Sequence, residues 1–291
     1  SGINLLYIRE SLWAENVITR GTPAATDGRK IGFKNLLGYF KALSEMGINA
    51  NIKAFEEFNF TKENYAGTTI ILAHQIAIPL DYQQSLQHFV ENGGTLLVDG
   101  LTGYYDEHVH NRMLTGFPLA TLFGGQLAEF RHRQDAFYYE FDGMPPVPAS
   151  LWKGFIKPNE TSTALATSGA HITAIHSDFG EGSVFWIPGL LGMPAWENAQ
   201  PLANFLTKTL PLDSVPIRFE QHTENVIMKT LQTDDTITTI LVNKAKTDMT
   251  LQLTGVAQKR QAEVLFSTTE RLSANDRLKL APEETVVVFW K

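Results

Sequence analysis

The chain of 291 residues contains no cysteine. That absence removes disulfides, thiolate metal sites and a cysteine nucleophile together. Long apolar runs are also missing: nothing approaches the ~20 consecutive apolar residues that a membrane-spanning helix needs. No G-x-S-x-G elbow occurs, so the common serine-hydrolase turn is not encoded. Positive charge is scarce, with 24 Lys and Arg against 31 Asp and Glu, a formal net charge of -7. With no Lys/Arg cluster, nucleic acid and membrane surfaces are not expected partners. The start, SGINLLYIRES, has neither a charged leader nor a signal-type apolar segment. Ser1-Gly2 set directly before a core strand reads as an excised segment with a cloning scar, which would put any targeting segment of a parent outside it. A soluble protein of cytoplasm or periplasm fits equally, so the compartment stays unknown.

What is present suits a protein with a real core: 43% of residues are hydrophobic. The length allows one large domain or two ordinary ones. Residues 4–8 read as a first strand, and residues 10–30, with Gly21, Pro23 and Gly28, as mainly loop. Phe33, Leu36, Leu37, Phe40, Leu43 and Met46 recur at helical spacing and are closed by Gly47. Residues 48–55 and 68–73 read as strands, 79–91 as a helix with Tyr82, Leu86, Phe89 and Val90 inward, and 95–98 as a buried strand. Alternation of this kind predicts an α/β fold: an open, mostly parallel sheet with flanking helices.

Residues 119–123 suit a short helix, and the aromatic, Pro-rich stretch 130–155 supports no assignment. Residues 164–167, 171–176 and 183–187 are strand-like, with Gly180-Glu181-Gly182 as the turn between the last two. Trp196, Ala199, Leu202, Ala203 and Leu206 mark a last helix. Beyond 211–216 no helical pattern remains. Seven short strands, 217–220, 225–231, 236–242, 249–253, 262–266, 277–280 and 285–290, predict a small all-β sandwich. The expected division is therefore 1–212 and 213–291.

The chemistry should lie after strand 95–98, because ligands of open α/β sheets sit at the carboxyl ends of central strands. The turn there is Asp99-Gly100-Leu101-Thr102. Thr102 is a poor nucleophile without an arranged base, so a structural turn is expected and no catalytic residue is assigned. His74, after the neighbouring strand, reads as a satisfied core or loop residue. The following loop carries Tyr104, Tyr105, Asp106, Glu107, His108, His110 and Arg112. Its His-x-His pair flanked by carboxylates could hold a divalent metal. With no third ligand and no supporting shell nameable, a solvated or interface loop is expected, and neither metal nor cofactor. Arg131, His132 and Arg133 read as a solvated basic run. Trp186, Trp196 and Trp290 lie in core patterns; Tyr104, Tyr105 and Trp152 remain candidates for ligand or interface contact, and Trp13 is unassigned.

Gly93-Gly94, the strand 95–98, Asp106-Glu107 and Gly116-Phe117-Pro118 come in the order found in the middle domain of family 42 glycoside hydrolases, and Glu129-Phe130 and the run 180–192 fit as well. The chain resembles that β-galactosidase trimerisation domain followed by its small β domain. The resemblance implies a fold like class I glutamine amidotransferases and a homo-oligomer, with the trimer as the form the family suggests. It also implies a catalytic (β/α)₈ barrel upstream, which needs roughly 200 residues of its own. Retaining glycosidases use two carboxylates about 5–5.5 Å apart; the resemblance puts both in that barrel. The expected function is thus a non-catalytic part of a β-galactosidase-like enzyme, serving oligomerisation and support of the parent's active site. The alternatives are a carbohydrate-binding module using the 104–112 loop and a free-standing amidotransferase-like hydrolase.

Overall fold

The structure, a computed structural model, describes residues 2–18, 30–113, 116–233, 236–271 and 273–291. Ser1 of the supposed scar and residues 19–29 of the supposed loop lie outside the described residues. The described residues form two compact units, one within Ile3–Phe40 and Asn51–Pro211 and one within Gly2, Lys41–Ala50 and Leu212–Lys291.

The first unit is built on a nine-stranded sheet. Strands β1 (Ile3–Tyr7), β2 (Asn51–Ala54), β3 (Thr69–Ala73) and β4 (Thr95–Asp99) run parallel in the order β2-β1-β3-β4. Strands β3 and β4 are buried at every position, as expected where helices cover both faces of a parallel sheet. Helices α1 (Arg9–Ile18), α2 (Ile31–Glu45) and α3 (Leu80–Glu91) follow β1 and β3. Leu86, Phe89 and Val90 of α3 pack with Leu72, Leu96, Val98 and Trp186 in one apolar cluster.

Helix α1 falls where a loop was expected from sequence. Its buried positions are Ser11, Ala14 and Glu15, whereas Trp13 and Val17 face outward. A helix that buries small and polar groups leaves no apolar period to read. Helix α2 was expected from sequence, yet its inward face is turned. Phe33 is exposed, while Asn35, Leu36, Gly38, Tyr39 and Leu43 are buried. The cause is close approach: a Cβ on Gly38 would lie 1.8 Å from the Gly192 carbonyl oxygen, and one on Gly192 would lie 1.9 Å from that of Asn35. Two glycines let the helix backbone touch the chain opposite, so small residues hold the contact.

A short helix, α4 (Ala120–Phe123), leads into the antiparallel half of the sheet. Its strands are β5 (Gly125–Tyr139), β6 (Val147–Pro158), β7 (Ser162–Ser168), β8 (His171–Phe179) and β9 (Gly182–Ile187). Strand β9 pairs parallel with β4 and antiparallel with β8, and the order continues β8-β6-β5, with β7 on β8. The sheet is therefore mixed, parallel on one side of β9 and antiparallel on the other. The stretch 130–155, left unassigned from sequence, is mostly the long β5–β6 hairpin arm. Helix α5 (Gln200–Thr209) buries Leu202, Ala203, Phe205 and Leu206. Trp196, expected in the core, is about half exposed at 48% and donates its indole N–H to the Lys34 carbonyl at 3.0 Å.

In the second unit all seven expected strands form: β10 (Ile217–Phe219), β11 (Val226–Gln232), β12 (Ile237–Asn243), β13 (Met249–Gly255), β14 (Ala262–Ser267), β15 (Arg277–Leu280) and β16 (Thr285–Trp290). They make antiparallel sheets β10-β13-β15 and β11-β12-β16-β14. Alternate residues such as Leu251, Leu253, Leu241, Val286, Val288 and Trp290 point into one core. Trp290 brings its polar edge with it, and its indole N–H donates to Thr239 Oγ1 at 2.9 Å.

Candidate functional site

The turn at the end of β4 is closed by a buried polar network. Both Asp99 carboxylate oxygens accept from Asn35 Nδ2 at 2.8 Å. Tyr39 donates its hydroxyl at 2.9 Å, and the backbone N–H groups of His74 and Leu191 donate at 2.9 and 3.1 Å. Burial pushes the Asp99 carboxyl up to about 7, and the donors of Asn35, Leu191, Tyr39 and His74 pull against that rise. Thr102, wholly buried, donates to the Asp99 and Leu72 carbonyls and accepts from the Gln75 N–H at 2.9 Å. Gln75 in turn accepts the Ile8 N–H at 2.7 Å. His74 sits at φ 54°, and its Nδ1 accepts the Leu101 N–H at 3.2 Å. Burial holds its imidazole down at about 3, in the neutral form. A nucleophile needs an accessible hydroxyl and a base aimed at it. Here the hydroxyl ties the end of β3 to the turn after β4, and the imidazole faces a backbone amide.

The loop beyond is organised by Asp106, which is buried. Its Oδ1 accepts the N–H groups of His108 and His110, each at 2.9 Å, and its Oδ2 lies 3.1 Å from His110 Nδ1 and 3.7 Å from Arg112 Nη1. Burial works to raise the Asp106 carboxyl, and the His110 and His108 contacts outweigh it, leaving it below the usual range. Glu107 accepts the Leu80 N–H at 3.2 Å, holding the first turn of α3. The rings of His108 and His110 stand 5.8 Å apart and about 70% exposed. The loop thus spends Asp106 on its own backbone and Glu107 on the start of α3, and no metal-ligating trio forms in it among the described residues. Asp106→Ala removes the acceptor of two backbone amides, which is expected to cost about 1–3 kcal/mol. His108→Ala and His110→Ala should stay within ~0.5 kcal/mol of the wild type; urea melts of the three variants measure the contrast. Because the Asp106 carboxyl is held low, its contribution is present above the free-carboxyl range and is lost as pH falls through that lowered value.

Tyr104 and Tyr105 pack edge to face at 4.8 Å, and the row continues through Phe130 at 5.3 Å and Trp152 at 5.4 Å to His132 at 5.0 Å. The loop and the β5–β6 arm are therefore brought together, with Tyr104, Tyr105 and Trp152 half-buried. Arg131 pairs with Glu129 at 2.6 Å and lies 5.0 Å over the Phe155 ring. Beyond the row the arm is open, with every residue from Arg131 to Ala136 exposed and no strand on the outer side of β5 among the described residues. Trp186 and Trp290 are core residues, while Trp13 is 63% exposed on α1.

The first unit is thus a mixed α/β sheet whose elbow is filled by its own side chains, and antiparallel β sheets follow it. Residues 2–215 match the family model described as the Beta-galactosidase trimerisation domain, and the chain belongs to that family. It is similar over its whole length to a catalytic mutant of Gan42B, a GH42 beta-galactosidase from G. stearothermophilus, with 19% identity, a TM-score of 0.74 and 40% of that protein covered. The beta-galactosidase of Bacillus circulans sp. alkalophilus gives 13% identity, 100% and 42% coverage and a TM-score of 0.73. Alpha-L-fucosidase isoenzyme 2 of Paenibacillus thiaminolyticus gives 12%, 100% and 48%, and 0.60. The chain thus spans less than half of each of these proteins. No curated protein sequence matches it significantly. Among the described residues no helix is long and apolar enough to cross a membrane.

Proposed function

We propose that this chain is a non-catalytic portion of a β-galactosidase-like glycoside hydrolase, that it builds a homo-oligomer, and that it supports the active site of a catalytic barrel on the same polypeptide. Residues 1–212 act as the amidotransferase-like trimerisation domain and 213–291 as the trailing β domain. The observation that carries the assembly role is the β5–β6 arm. Its edge strand offers unpaired backbone groups beside a half-buried aromatic row, the combination that pairs with another chain. The occupied elbow supports the absence of chemistry, since Thr102 and His74 are engaged in holding the turn. Soluble placement suits this role in either cytoplasm or periplasm.

The carbohydrate-binding alternative would need free acceptors in the 104–112 loop, and Asp106 and Glu107 already accept from the backbone. Two assays on this chain separate the readings. Chromogenic galactosides are expected to show no turnover, and calorimetry with galactose no saturable heat. Turnover would contradict the non-catalytic role. Saturable heat abolished by Asp106→Ala would establish the binding module in its place.

A further inference from the structure

The second unit brings together a group of side chains that the proposed function does not use. Glu45 ends α2, and the segment after β10 brings His222 and Glu224 beside it. One donor atom from each of the three lies within 4.8 Å of the others. We propose that Glu45, His222 and Glu224 form a binding site for a divalent transition metal, of which Zn²⁺ is the representative.

Donor chemistry selects the class. One imidazole nitrogen with two carboxylates suits zinc and its neighbours, whereas calcium and magnesium favour sites made of oxygen alone. His222 Nε2 lies 2.6 Å from Glu45 Oε2. Two ligands at ~2.0–2.1 Å from a tetrahedral zinc stand about 3.3 Å apart, so replacing the shared proton with a metal opens the pair by less than ~1 Å. Lys41 Nζ, 3.5 Å from the other Glu45 oxygen, belongs to the metal-free arrangement and leaves Oε2 to the metal.

The site is braced before any ion arrives. Thr223, between the two ligands of the loop, donates its N–H to the Glu45 carbonyl at 2.8 Å, and Phe219 donates to the Met46 carbonyl at 2.9 Å. Loop and helix end are thus fastened by backbone bonds, and little ordering is left for the metal to impose. His222 is nearly buried, with its side chain 8% exposed, which costs desolvation that a metal bond would offset. His222 and Glu224 also line an open cleft of about 620 Å³, with Gln221, Gln252 and Arg277 on its walls. Three protein ligands leave a fourth position for water or a small anion from that cleft.

Titration of the full chain with Zn²⁺, after EDTA treatment and dialysis, tests the site. One saturable equivalent per chain and a rise in melting temperature are expected, with no response to Mg²⁺ at the same concentration. Glu224→Gln and His222→Gln should each weaken binding at least ~10-fold, since even outer partners of a metal ligand are worth 10–100-fold. Glu224 is exposed, so its variant keeps the fold and remains interpretable if the His222 variant does not. The double variant His108→Ala/His110→Ala should bind as the wild type. Absence of saturable binding, full affinity in Glu224→Gln, or loss of binding in the His108/His110 variant would overturn the assignment.

Discussion

Replacing Asp99 with alanine is expected to lower the stability of the first unit by about 3 kcal/mol or more. The carboxylate is the common acceptor for Asn35, Tyr39 and the His74 and Leu191 amides. Deleting it leaves two side-chain donors and two backbone donors buried, and each such group costs about 1–3 kcal/mol, though not additively. Asp99→Asn keeps the shape but turns an amide N–H₂ toward donors, so a smaller loss follows. The same residue gives the stability a pH slope. Its carboxyl titrates at about 7 in the fold, and burial likewise raises Glu15 to about 7 against the Gly32 and Ile31 amides. With folded values above the unfolded ones, the unfolded chain releases protons first. The stabilisation is therefore complete below about pH 4 and is lost as pH rises toward 7. For Asp99 alone that shift amounts to about 4 kcal/mol. Thermal melts from pH 4.5 to 7.5 should show a falling midpoint, with a shallower slope in Asp99→Asn. A midpoint rising steadily over that range would mean that the ionised carboxylate is the stable form.

Charge placed on the hairpin arm is expected to abolish the proposed self-association without unfolding the chain. Phe130 and Trp152 are the centre of the aromatic row, and hot-spot aromatics contribute about 2 kcal/mol or more to association. Phe130→Glu and Trp152→Ala should each weaken self-association at least ~30-fold, as 1.4 kcal/mol is tenfold. Stability should fall less than association, because Phe130 and Trp152 are only half-buried in the single chain. Loss of mass with an unchanged melting temperature marks an interface; loss of both would mark a core position. The arm's free edge explains why the aromatic row alone is not the whole surface: backbone groups of β5 can pair with a second chain.

The parts of this molecule that were legible in the sequence are those where burial follows a period. Strand β12 alternates inward Ile237, Thr239 and Leu241 with half-buried neighbours, and β3 and β4 are continuous apolar runs. The β5–β6 arm was not legible, since a strand with both faces open carries no alternation, and Pro145, Pro146 and Pro148 obscured its boundary. Helix α1 failed for the opposite reason, having Ser11 and Glu15 in the buried face. The 104–112 loop was found, but its internal wiring was not, because whether Asp106 faces its own backbone or a ligand depends on the Val109 turn at φ 65°. The side-chain donors of the Asp99 network and the Glu45–His222 pair were out of reach: Asn35 and Tyr39 stand 64 and 60 residues from Asp99, and His222 stands 177 from Glu45. Only the fold brings such residues together, so spacing arguments cannot find them.

Sedimentation equilibrium of the unmodified chain at tens of micromolar tests the proposed assembly role most directly. A species of three times the 32.4 kDa of one chain is expected, shifting toward a single chain in Phe130→Glu. A wild-type chain that sediments at 32.4 kDa across that range, with its melting curve intact, would contradict the assignment of this surface to self-association.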